Sequence, residues 1–455
     1  MTAKKGLGLF DLTMIVVGLV IGMGIFRTAS DAAKASLTPT VFFAAWIAGG
    51  LVALCGALTY AEIGSRLPVT GGYYKVFAVA YHPSIAFAIN CIILISNAAS
   101  MAGVALIGSE YLSEIIFDAE PGATTKSVIA MLPVLLFYGV NLLGLRLSAT
   151  AQNILMVIKI GMLLLLISSL FFLPAVSNTP ITATTQNLAF TEYLKSFGVA
   201  LIAISFTYGG YQQSINFGGE VRDARRIIPR GIAIGIFIII PLYLAVQYAY
   251  YQAIGFDALK NSKGIAAIVA EKMFGPTGRF VSSILLFIAV LAYVNVLLLS
   301  NPRVMYAMST DRILPQAFSR RNEQRDVLTV SLTVFALTAI VVLFFAKTFD
   351  RILGFTIFLD CIGMATSAGS IFILRPRTRH LNSTGIYQMK LYPLLPAIFI
   401  AAYLFVAYSI WRSTPELAYT ALAVFAVFLI IYFVANQFNT KKDEALGTEK
   451  TNAPM

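Results

Sequence analysis

Twelve apolar runs, each long enough to cross a bilayer, follow one another along this chain. They occupy residues 12–33, 40–62, 82–106, 127–145, 150–173, 197–217, 231–253, 279–301, 327–346, 352–374, 391–411 and 417–437. A hydrocarbon core about 30 Å thick takes about 20 residues of helix. In lipid the backbone must satisfy its own hydrogen bonds, which leaves helices or closed barrels. Runs this long and unbroken by polar alternation predict an all-α membrane protein with twelve transmembrane helices. What is left of the 455 residues is spread over short loops and two tails, 1–11 and 438–455, with no room for a large soluble domain. The polar tail from Asn439 reads as unstructured.

Composition agrees. Charged residues make up 12% of the chain and hydrophobic ones 58%. Soluble domains average about 25% charged residues, so a soluble enzyme, a disordered protein and a coiled coil are all excluded. The net charge of +12 does not point to nucleic acid, because no basic stretch is interleaved with aromatics in a soluble segment. With the N-terminus inside, Lys and Arg favour the inner loops by roughly two to one. The segment between spans 3 and 4, with Glu110, Glu114, Asp118 and Glu120, is acidic and falls outside. Both termini are therefore expected in the cytoplasm, with the chain in the cell membrane. The first apolar run lacks a small-residue cleavage site and leads into a second span, so it reads as a retained helix.

Cys55, Cys91 and Cys361 all lie within apolar runs and read as small buried hydrophobes. His82 and His380 sit near loops, and there is no Cys-x-x-Cys or His cluster. No metal and no cofactor is expected.

Two spans carry paired glycines near their centres. Span 1 reads Val17-Gly18-Leu19-Val20-Ile21-Gly22-Met23-Gly24-Ile25-Phe26, and span 6 reads Ile204-Ser205-Phe206-Thr207-Tyr208-Gly209-Gly210-Tyr211. An interior Gly costs a helix about 1 kcal/mol relative to Ala. One such pair alone reads as close helix packing. Two pairs in corresponding places read differently. Spans 1 and 6 each open a block of five, residues 12–173 and 197–374, and an odd number of spans inverts the second block. Interrupted helices at matching places in two halves point to a transport site. Depth matches too: Gly22 lies about 15 Å from its end of span 1 and Gly209 about 18 Å from the opposite end of span 6. An interrupted helix frees N–H groups that suit a carboxylate and C=O groups that suit an ammonium. An α-amino acid carries both.

At these residues the chain resembles amino acid permeases of the amino acid–polyamine–organocation superfamily. The Gly22-Met23-Gly24-Ile25-Phe26 run is similar to the family's span-1 signature. Tyr60-Ala61-Glu62-Ile63-Gly64 and Pro68-Val69-Thr70-Gly71-Gly72-Tyr73-Tyr74 resemble the end of span 2 and the loop after it. Glu220, Arg225-Arg226-Ile227-Ile228-Pro229-Arg230, and Arg303, Tyr306, Ala307, Met308, Asp311, Leu314 and Pro315 resemble the loops after spans 6 and 8. Ala224, Tyr73 and Tyr211 depart from the residues usual in the family. The resemblance implies two inverted five-helix repeats, 12–173 and 197–374, with two additional helices in 391–437. It also implies that Ile21, Gly22, Met23, Gly24 and Ile25, with Phe206, Thr207, Gly209 and Gly210, line the substrate site. Phe206 would be the gate over the substrate; its plainer reading is a core aromatic.

Polar residues inside spans add candidates. Lys159 lies about 13 Å into span 5. A cation at that depth is costly and marks function by default. The resemblance implies that its ammonium stands in for a sodium ion and joins span 1 to span 8, either as a proton carrier or as a fixed tether. Sodium dependence is then not expected. Asp360 lies about 12 Å into span 10 and reads as a substrate contact, a proton carrier or a structural partner. Asn295 in span 8 and Asn97 in span 3 fit helix–helix hydrogen bonds, and Asn295 also counts as a site candidate. Glu62, at the inner edge of span 2, is placed for a gate salt bridge with Arg226 or Arg230.

The predicted activity is secondary amino acid transport by alternating access, sodium-independent, as proton symport or exchange. The alternatives are an amine or polyamine carrier, and a nutrient-sensing receptor with a transporter fold. No nucleophile, metal or acid–base cluster marks an enzyme, and no filter loop marks a channel. Expected partners are a small-molecule amino acid and the lipid bilayer. Residues 107–126 hold no Cys, so no disulfide-linked partner subunit is expected.

Overall fold

The computed structural model describes residues 6–22, 24–117, 121–176, 189–262, 264–345 and 349–451. The described chain is helical throughout, with β pairing confined to isolated bridges. The first half holds α1 (Leu9–Val20), α2 (Gly24–Ala35), α3 (Pro39–Arg66), α4 (Gly72–Ala80), α5 (Pro83–Ile116), α6 (Ala123–Leu142) and α7 (Leu145–Phe172). Then come α8 (Phe190–Tyr208), a 3-10 turn (Tyr211–Asn216), α9 (Ala224–Ile254), α10 (Phe256–Asn261), α11 (Ile265–Phe274) and α12 (Pro276–Thr310). The last are α13 (Thr329–Phe345), α14 (Phe349–Gly369), α15 (Ile371–Arg377), α16 (Leu394–Ser413) and α17 (Pro415–Thr451).

Among the described residues, nine helices are long and apolar enough to cross a membrane, against twelve runs in the sequence. The difference has local causes. The run 12–33 is divided between α1 and α2, and the run 197–217 between α8 and the 3-10 turn. The run 327–346 yields the 17-residue α13. The C-terminal segment expected to be unstructured continues α17 to Thr451. Lys441, Lys442, Glu444 and Ala445 are good helix formers, and they extend a helix that is already nucleated. Asp118 and Glu120 of the acidic segment lie outside the described residues.

Helix starts follow ordinary rules. Pro39 opens α3 after Thr38, whose hydroxyl accepts from Val41 N. Pro83 opens α5 behind His82, whose ring nitrogen accepts from Ser84 N. In the interior α3 packs on α8 and α9, α12 on α5 and α7, α1 on α7 and α9, and α14 on α16. The core is rich in aromatics: Trp46, Tyr60, Tyr73, Tyr208, Tyr211 and Tyr243 are all fully buried.

One end of the bundle is drawn together by charges. Glu62 is fully buried and accepts from Arg66 at 2.7 Å, from Arg375 at 3.0 Å and from Met389 N at 2.9 Å. Its partners are thus Arg66 and Arg375, which correct the expected Arg226 or Arg230. Arg66 lies one turn further along α3, and the chain after α15 returns to cap the carboxylate. Among the described residues Arg226 pairs with Asp223, at 3.7 Å. At the same end Glu220 pairs with Arg303 at 3.4 Å and Arg321 at 4.0 Å, and Arg321 also pairs with Asp326. Backbone bridges join Leu7 to Val221 and Thr70 to Phe217.

Candidate functional site

Helix α1 stops at Val20 because Ile21 turns to ψ 76°. The last carbonyls of a helix have no partner within it. Here two side chains supply partners. Lys159 on α7, only 1% exposed, donates from Nζ to the Ile21 carbonyl at 2.6 Å. Tyr243 on α9, fully buried, donates to the Val20 carbonyl at 3.0 Å and lies 3.4 Å from the Thr207 carbonyl near the end of α8. Tyr243 therefore touches the carbonyl ends of two separate helices.

Those two ends also meet directly. Gly210 holds φ at 111°, which favours glycine, and a Cβ there would stand 2.2 Å from the Leu19 carbonyl oxygen. A Cβ on Gly24 would stand 2.9 Å from Thr207 Oγ1, and one on Gly22 would stand 3.2 Å from the Tyr293 ring. The N–H groups in the first turn of α2 have no helical acceptor. Gly210 N donates to Gln212 Oε1 at 2.9 Å.

Both helix ends face a cavity of about 400 Å³. Gly22, Gly24, Phe206, Thr207, Gly209, Gly210 and Asp360 all line it. Other predicted residues lie elsewhere. Ile21 and Ile25 are fully buried behind the lining. Met23 lies outside the described residues. Lys159 is turned away, toward the Ile21 carbonyl. Asn295 is fully buried and joins three helices: it accepts from Asn141 Nδ2 at 2.9 Å and donates to Gln152 Oε1 at 2.9 Å and the Ser148 carbonyl at 3.1 Å.

Several lining residues carried no site signal in the sequence. Asn97 bonds Asn301 at 2.7 Å and Gln213 at 3.3 Å, and it also reaches the cavity. Tyr293 bonds Ser100 at 2.8 Å. Asp31 on α2 is exposed and also lines the cavity. Asn97 was visible as an amide in an apolar run. Tyr293 was one of 21 tyrosines and offered nothing to single it out.

The arrangement presents helix ends and a carboxylate around one space. Among the described residues, no hydrogen bond or ion pair reaches the Asp360 carboxylate.

Nine long apolar helices among the described residues define a multi-pass membrane protein. The family model of the amino acid permeases matches residues 7–442, and the chain belongs to that family. It is 25% identical to the serine/threonine exchanger SteT of Bacillus subtilis over 405 residues, 89% of this chain and 90% of that protein. It is 23% identical to the Asc-type amino acid transporter 1 of Mus musculus over 442 residues, 96% of this chain and 82% of that one. It is 26% identical to the b(0,+)-type amino acid transporter 1 of Homo sapiens over 285 residues, 61% of this chain and 57% of that one. These relatives are amino acid transporters of the superfamily that the span-1 and loop motifs resemble.

Proposed function

We propose that this permease is a sodium-independent secondary amino acid transporter that works by alternating access. The observation that carries the reading is the meeting of α1, α2, α8 and the 3-10 turn on one cavity. In this reading α1 and α2 form one interrupted span, and α8 with the 3-10 turn forms another. With α13 and the nine longer helices they complete twelve spans, arranged as two inverted repeats of five and two additional helices. Both termini are cytoplasmic, and the cavity then opens outward while the charged end is closed.

The substrate carboxylate docks on the first-turn N–H groups of α2 and near Gly209 and Gly210. Its ammonium faces the carbonyl ends near Ile21 and Thr207. Phe206 covers the bound molecule. Lys159 holds the Ile21 carbonyl in the place of a cation. Binding then needs no charged side chain for the α-groups, because the helix ends supply partial charges.

Uptake into proteoliposomes without sodium tests this. A panel of labelled amino acids is offered to empty vesicles and to vesicles preloaded with unlabelled amino acids. Uptake confined to loaded vesicles assigns exchange, with Lys159 as a fixed tether. Uptake into empty vesicles that rises with an inward proton gradient assigns symport. No amino acid uptake in either case sinks the reading. The second reading, an amine or polyamine carrier, is favoured by Asp31 and Asp360 in the cavity, and diamines in the same panel decide it.

A further inference from the structure

We propose that Asp360 selects the substrate's side chain, and that the preferred substrates are amino acids with a cationic side chain. This rests on the transporter reading above. Asp360 projects from α14 into the same cavity that exposes Gly22, Gly24 and Gly210. It therefore shares with the helix ends the space where the α-groups would sit.

The charges of the lining support the assignment. Asp360 and Asp31 line the cavity, and no Lys, Arg or His is among its described lining residues. The remaining polar groups are amides and hydroxyls of Ser96, Asn97, Gln213 and their neighbours. The buried cation Lys159 is committed to the Ile21 carbonyl at 2.6 Å. A zwitterionic amino acid brings no net charge to such a space. A dibasic one brings a single positive charge.

Asp360 is also without a partner among the described residues, although it lies within electrostatic range of the Tyr293 and Tyr73 hydroxyls. A lone carboxylate in a low-dielectric site is unfavourable. An ammonium or guanidinium from the substrate would offset that cost with a charge-assisted hydrogen bond. Asp31 differs in being exposed, so solvent screens it and its contribution is general attraction to the mouth. Tyr293 lies between the two poles: its ring packs on Gly22, and its hydroxyl is held by Ser100. The Tyr293 ring gives an aliphatic stem an apolar surface within the same cavity.

Lysine and norleucine have nearly the same shape and differ in the terminal ammonium, which makes them the probe pair. Each competes against a labelled transported amino acid in preloaded proteoliposomes held at zero membrane potential. The wild type should favour lysine over norleucine by roughly tenfold or more, the range of a hydrogen bond to a charged group. Asp360→Asn should bring that ratio close to one, Asp360→Glu should retain a preference for lysine, and Asp31→Asn should change it less than Asp360→Asn. A wild type that takes norleucine as well as lysine overturns the proposal, whether or not Asp360→Asn folds. An unchanged ratio in a folded Asp360→Asn variant overturns it too. Both of those outcomes leave amino acid transport standing. Only vesicles that take up no labelled amino acid at all, but do take up diamines, remove the amino acid reading beneath it.

Discussion

Lys159 has one hydrogen bond that matters to the site, and its acceptor is a backbone carbonyl. The Nζ stands 2.6 Å from Ile21 O, deep between helices. The carbonyl is free because α1 ends at Val20, so the lysine replaces a bond that the helix gave up. Removing the ammonium strands that carbonyl. Leaving one buried partner unsatisfied costs about 1–3 kcal/mol, more for charged partners. Lys159→Met keeps the side-chain bulk and removes the donor. It should lower the thermal midpoint in detergent by several degrees, and uptake should fall with it because the Ile21–Gly24 segment loses its anchor. A Lys159→Met protein as stable as the wild type would show that the tether contributes nothing. Tyr243 performs the neighbouring task with a neutral hydroxyl, which bonds the Val20 carbonyl.

At the scale of elements, function depends on two helix ends packed so closely that only a hydrogen fits between them. Gly210 has its φ at 111° and its α-carbon against the Leu19 carbonyl. Gly210→Ala must both strain the backbone and push α1 from the 3-10 turn, so the cavity between them changes shape. Amino acid uptake by Gly210→Ala should be lost. Gly139→Ala is the control, since nothing lies within 4 Å of its added Cβ, and its uptake should match the wild type. Equal uptake by both variants would refute the claim that this contact shapes the site. Glycine pairs are legible in a sequence because their helix penalty is local, and Gly22, Gly24, Gly209 and Gly210 all reached the cavity lining. Contacts made across the bundle are not legible. Asn295 sits at a depth that suits a site, yet its neighbours Asn141 and Gln152 come from α6 and α7 and absorb it. Glu62 found its arginine one helical turn away at Arg66, a spacing that the sequence does display. A break leaves an apolar run intact in composition while dividing it in geometry, so twelve runs in the sequence correspond to nine long helices and several shorter ones among the described residues.

At the scale of the whole molecule, a layer of paired charges around Glu62 and Glu220 stands apart from the cavity lining. That layer is stable only while its acids and bases stay matched. Glu220 shows how finely. Burial pushes its carboxyl above the usual carboxylate value, while Arg303 and Arg321 pull it down. Burial prevails. The folded chain therefore binds the Glu220 proton at higher pH than the unfolded chain does. Stability rises as pH falls wherever the native state holds more protons. The contribution of this group thus improves as pH drops through its raised folded-state value, and it flattens once the unfolded chain is protonated as well, below about pH 4. Glu220→Gln cannot take up that proton. The thermal midpoint of the wild type should accordingly rise relative to that of Glu220→Gln across this range. A midpoint difference that moves the other way, with the wild type losing ground on acidification, would mean that the Arg303 and Arg321 attraction outweighs burial. In that case the charged end is held by ion pairing, and acid on that side of the membrane would loosen it instead of tightening it.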